Sequence, residues 1–130
     1  MAPPRPDAAN ERRSAEREIS RAIVHFEKEF MGRGPLNART FIIEDLVLVR
    51  LANVLTPAEL KLAQVEPAER GRYLIKQVRQ ELIAQGRPLL DAVIQDILKI
   101  KVVSLHTDIS AKTGERIIVF TLAEAPAFGA

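Results

Sequence analysis

A chain of 130 residues is the size of one domain and buries roughly two-thirds of its unfolded surface on folding, so one core is expected. It has no cysteine and no tryptophan, which excludes a disulfide framework, a thiolate metal centre and a cysteine nucleophile. Its 19 basic and 17 acidic side chains leave a formal charge of +2, so the sequence pI of about 9.2 reflects a small surplus in a balanced chain and is no argument for nucleic acid.

Prolines 3, 4 and 6 mark residues 1–9 as a disordered tail, and no apolar segment follows them to make a secretory signal. No apolar run approaches the roughly 20 residues of a membrane span. The protein is therefore expected to be cytoplasmic, with no direct membrane insertion. From about Ala8 to Met31, Ile19, Ile23, Phe26 and Phe30 recur three or four apart, which predicts an amphipathic helix closed by Gly32. His25 lies beside that stripe, where a partly buried histidine bonded to a backbone carbonyl is expected. Arg12, Arg13, Arg17 and Arg21 are interleaved with Glu11, Glu16 and Glu18 and have no aromatic company, the pattern of a solvated face, so a nucleic-acid partner is not expected. The glycines of Gly32-Arg33-Gly34-Pro35 follow a helix, whereas phosphate-cradling glycines follow a strand and open one. They read as a helix cap and a turn.

Arg39 to Val54 is dense in Phe, Ile, Leu and Val and broken only by Glu44-Asp45, a hairpin turning at the two acids. Thr56-Pro57-Ala58-Glu59 supplies a capping hydroxyl, a proline at the first helical position and a glutamate three after the cap. Pro67 closes that short helix. A longer one runs from Ala68 to Ala84, and Leu89, Leu90, Val93, Ile94, Ile97 and Leu98, after Gly86 and Pro88, form either a separate helix or a kinked continuation. Lys101 to Ile109, a turn at 110–115 and Arg116 to Leu122 make the second hairpin. Residues 123–130 read as a flexible tail. The whole predicts one α+β domain over residues 10–122, in the order α-β-β-α-α-β-β: a two-layer fold with a four-stranded, mainly antiparallel sheet of two β-hairpins and its helices on one face.

Ser104, His106 and Asp108 have the residue types of a catalytic triad, but residues two apart on a strand stand roughly 6.6 Å apart and point in parallel, whereas a triad converges within ~3 Å. No catalytic residue is assigned. With two histidines and no ligand spacing, neither a metal nor a cofactor is expected. The best ligand candidate is the second hairpin. There Lys112 and Arg116 flank Thr113 and Gly114, a turn able to offer backbone N–H groups and two cations to an anion, with His106 and Asp108 on the preceding strand. A plain exposed turn is the alternative.

Alternation fails in both long strands. Leu46 to Leu51 and Ile117 to Leu122 place large aliphatic side chains on both faces of the sheet. One apolar face is left for another chain, which predicts a homodimer, unless the first helix swings across to cover it.

Gly32-Arg33-Gly34-Pro35, the Val-Arg-Leu of strand 2 running into Thr56-Pro57-Ala58-Glu59, Val78-Arg79-Gln80-Glu81-Leu82, and above all Val102 to Ser110 followed by Lys112-Thr113-Gly114-Glu115-Arg116 resemble the MpsC-type domain of a Na+-translocating membrane-potential-generating system. The likeness runs from the first helix to Leu122. It implies a small cytosolic bacterial protein, in some organisms encoded beside membrane components like cation or inorganic-carbon transporters. It implies no reaction and no catalytic residues. The expected function is thus a non-catalytic accessory or regulatory module acting by protein–protein, or small-anion, binding, with a membrane transporter subunit as partner; a small enzyme or a nucleotide- or nucleic-acid-binding module is the alternative.

Overall fold

The computed structural model describes residues 6–128. They form α1 (Pro6–Met31), β1 (Asn37–Ile43), β2 (Leu46–Ala52), α2 (Pro57–Gln64), α3 (Ala68–Leu98), β3 (Val102–Ile109) and β4 (Arg116–Leu122). The order is the one expected. All neighbouring strands are antiparallel, and the sheet runs β1-β2-β4-β3, so the outer strands are the first and third of the chain. Glu44, with a φ of 54°, turns the first hairpin.

The face of the sheet toward the helices is apolar. Val47, Val49 and Leu51 of β2 and Ile118, Phe120 and Leu122 of β4 are buried there against Ile19, Ile23 and Phe26 of α1 and Ile75, Ile83, Leu90 and Ile94 of α3. α1 packs on β1 and α3, and α2 packs on α3. α1 therefore does not swing across the other face, where Phe41, Leu48, Ile117 and Val119 remain half-buried and Ile43 is 52% exposed. His25 is exposed rather than partly buried: it stands one residue, a rotation of about 100°, from Phe26. α1 and α3 cross at Gly86, where an added Cβ would sit 2.7 Å from the Phe26 ring.

Two boundaries differ from the sequence reading, and the alternative left open around Pro88 is decided. α1 begins at Pro6, so residues 6–9 of the expected tail are helical, and residues 1–5 lie outside the described residues. Residues 68–98 form one helix with Pro88 inside it; both halves bury side chains in the same core, which offsets the lost backbone hydrogen bond. The segment after β4 is also tied down: Ala123 donates its N–H to Lys101 O at 2.9 Å, and Phe128 packs against the core. Residues 129–130 of that expected tail lie outside the described residues.

The start of α2 is the reciprocal cap that the sequence indicated. Glu59 N–H donates to Thr56 Oγ1 at 3.2 Å, and Thr56 N–H donates to Glu59 Oε1 at 2.9 Å. Thr56→Ala is expected to cost about 1 kcal/mol in chemical denaturation; an unchanged midpoint would show that the hydroxyl is dispensable.

Candidate functional site

The core contains charges. Glu27 of α1, Arg79 of α3 and Arg116 of β4 are 0%, 2% and 1% exposed, and each occupies a core-facing position of its element. Glu27 is four residues after Ile23, Arg79 four after Ile75 and four before Ile83, and Arg116 two before Ile118. Helical and strand periodicity therefore turn all three inward.

Arg79 is the best-satisfied member. Its Nε and Nη2 grip the two carboxylate oxygens of Glu59 at 2.8 and 2.6 Å, a bidentate pair, and Nη2 also donates to Val54 O at 2.8 Å. Burial alone raises the Glu59 pKa, but the hydrogen bonds from Arg79 and Thr56, with the Arg79 charge, outweigh it and hold the carboxyl below its usual value. Arg116 donates from Nη1 to Thr107 Oγ1 at 3.0 Å, and that hydroxyl donates to Ile117 O at 2.8 Å.

Glu27 sits between the two guanidiniums, with Oε1 3.2 Å from Arg116 Nε and Oε2 3.9 Å from Arg79 Nη1. Among the described residues neither of its oxygens accepts a well-aligned hydrogen bond. The carboxylate is held by charge rather than by directed bonds. Burial pushes its pKa up, with Arg116 and Arg79 pulling against it, and the same burial pushes the Arg116 pKa down.

Beside this cluster, between α3 and the β3–β4 hairpin, lies a cleft of ≈ 380 Å³. Arg72 and Lys76 of α3 line one side; Asp108, Lys112 and Glu115 line the other, with Ile109, Ala111 and Ile117 as its apolar wall. A smaller cavity of ≈ 20 Å³ shares Lys76, Asp108 and Ile109 with the cleft and is lined further in by Arg79, Thr107 and Arg116. Asp108 Oδ1 accepts from its neighbour Ile109 N–H at 2.8 Å and from Lys76 Nζ at 3.3 Å; the backbone bond first, then Lys76, holds its pKa below the usual value.

Of the six candidate ligand residues, Asp108, Lys112 and Arg116 meet at these cavities, joined by Arg72 and Lys76. His106 is exposed on β3 opposite Val119 and lines neither cavity. The Thr113 and Gly114 N–H groups are engaged within the turn, with Ser110 Oγ at 3.1 Å and Ser110 O at 2.7 Å. Gly114, with a φ of 77°, accepts from Val54 N–H at 3.0 Å and so fixes the hairpin tip to the chain leaving β2. Sequence reading gave Glu59 only its capping role and missed Glu27, Arg72, Lys76 and Arg79. The signal for two of them was present: a charged residue at an apolar phase of α1 and of α3.

A family profile described as "Na+-translocating membrane potential-generating system (MpsC)" matches residues 11–124. The chain belongs to the MpsC family. It is also 42% identical over 109 residues to the "Uncharacterized protein YbcI" of Bacillus subtilis (strain 168), an alignment covering 84% of this chain and 86% of that protein. No solved structure matches it significantly. The match to the MpsC profile takes in α1 from residue 11 onward and the other six described elements whole, and so includes the three segments that supply the buried cluster. No helix among the described residues is long and apolar enough to cross a membrane.

Proposed function

We propose that this MpsC-family chain is a non-catalytic accessory module of a Na+-translocating membrane-potential-generating system, and that it works as a homodimer joined through the sheet face its helices leave bare. The observation that carries this reading is the cross-strand row Phe41–Leu48–Val119, half-buried and contiguous on that face, beside Ile43 and Leu46, which are 52% and 37% exposed. Apolar patches of this kind on a soluble protein mark interaction surfaces.

Charge favours a second copy as the occupant. The neighbouring row runs Arg39–Arg50–Ile117–Asp108 from one sheet edge to the other, basic at the β1 end and acidic at the β3 end. A two-fold axis parallel to the strands, between β2 and β4, lays β1 over the partner's β3 and β2 over the partner's β4. Arg39 then opposes the partner subunit's Asp108, and Leu48 opposes the partner subunit's Val119. The non-catalytic part of the reading is supported by Ser104, His106 and Asp108, which pair with Thr121, Val119 and Ile117 in successive rows of β4 and so stand apart along β3 rather than converging.

Light scattering after gel filtration is expected to give twice the chain mass of 14.5 kDa for the wild type and the single mass for Val119→Asp, which buries a charge at the centre of the face. In cells lacking the gene, the wild type should restore Na+-dependent membrane potential and Val119→Asp should not. A monomeric wild type would refute the dimer, and an unaltered potential on deletion would refute the accessory role.

A further inference from the structure

From the cleft between α3 and the β3–β4 hairpin we infer a binding site for a small phosphate ester. The site belongs to a single chain and goes beyond the dimer reading. Five cations line the cleft and its inner cavity: Arg72, Lys76, Arg79, Lys112 and Arg116. Three of them are already balanced. Arg79 holds Glu59 at 2.6 Å. Lys76 meets Asp108 at 3.3 Å, and Arg116 meets Glu27 at 3.2 Å. The remaining carboxylate of the cleft, Glu115, is taken by Arg50 at 2.7 Å. Arg72 and Lys112 have no ion-pair partner among the described residues. Two uncompensated positive charges on opposite walls match a dianion, the state of a phosphate monoester near neutral pH.

The second observation lies deeper. Arg116 is 1% exposed, and its Nη2, like the buried Nε of Arg72, has no hydrogen-bond partner among the described residues. Buried guanidinium N–H groups left without acceptors are rare, because each forfeits its hydration without replacement. The ≈ 20 Å³ cavity that Arg116 lines has room for about one oxygen-sized group, so a phosphate oxygen would supply the missing acceptor. Lys76 can turn to the same anion at small cost, since its pair with Asp108 is solvent-exposed and such pairs contribute little. The cleft is much larger than a phosphate alone, and Ile109, Ala111 and Ile117 offer a surface for an organic portion. That size and lining distinguish a phosphate ester from the free ion.

Calorimetric titration with adenosine monophosphate, ribose 5-phosphate, inorganic phosphate and adenosine tests the assignment, on the wild type and on Val119→Asp so that failure of the dimer is read separately. Both esters are expected to bind saturably and more tightly than inorganic phosphate. Adenosine should not bind, and added salt should weaken the esters. Arg72→Ala combined with Lys112→Ala should lower ester affinity about ten-fold or more while leaving the denaturation midpoint close to wild type. Amide NMR should place the largest shifts at Arg72 and at Ser110 to Lys112. The assignment fails if neither ester saturates by millimolar concentration, if adenosine binds as well as its monophosphate, or if the double substitution leaves affinity unchanged.

Discussion

Glu27→Gln is expected to destabilise the protein by about 3–5 kcal/mol, because it removes the only carboxylate among the described residues within ion-pair distance of the buried Arg116 and leaves a guanidinium in the core without a counter-charge. That is a large part of the 5–15 kcal/mol typical of a domain. The companion experiment separates the cost of breaking the pair from the value of having it. In Glu27→Leu with Arg116→Met both charges are gone, Arg79 keeps Glu59, and Thr107 keeps its bond to Ile117 O. The double variant should recover most of the loss, since buried ion pairs replaced by apolar side chains of similar volume are often neutral or stabilising. Urea denaturation of the three proteins decides it. A double variant as unstable as the single one would mean that the cluster stabilises the fold by more than its charge balance.

Gly71→Ala is expected to destabilise even though alanine is the better helix former by up to about 1 kcal/mol. A Cβ at Gly71 of α3 would fall 2.0 Å from the carbonyl oxygen of Leu62 and 2.9 Å from its carbonyl carbon. Both belong to the backbone of α2, which has no rotamer to change. The helices must separate, at a net cost of about 1–3 kcal/mol for overpacking after the propensity gain is subtracted. Because α2 also carries Glu59, the displacement should loosen its bidentate hold on Arg79, visible as a changed Arg79 Nε signal in NMR. A stability equal to or above wild type would show that α2 shifts freely on α3.

The parts of the fold that sequence periodicity determines were legible: a stripe spaced three or four apart for α1, two runs of β-branched residues broken by short turns, and Thr56 with Glu59 for the cap. Each is a local pattern. The buried cluster was partly legible, since Glu27 and Arg79 interrupt apolar stripes at a core phase. That such charges neutralise one another, however, depends on α1, α3 and β4 meeting, which no local pattern states. Lys112 and Arg116 were found from the turn, whereas Arg72 and Lys76, the opposite wall, look from sequence like ordinary solvated helix residues. Continuity through Pro88 and docking of Phe128 were illegible for the same reason: both depend on packing between distant segments.

The outer strands of the sheet also bear on how large an assembly can grow. On β1 the Ile42 N–H is taken by Glu16 Oε2 of α1 at 2.8 Å, and beside it Thr40 Oγ1 and Ser20 Oγ of α1 are 2.7 Å apart. On β3 the pairing register slips between Val102 and Ser104, and the Val102 N–H is occupied by Gln95 Oε1 at 3.1 Å. Neither border presents an uninterrupted ladder of free amides and carbonyls onto which a strand of another molecule could be zipped. A strand added at either border would therefore meet an amide already taken by a side chain of the same chain, which disfavours strand-by-strand extension into fibrils.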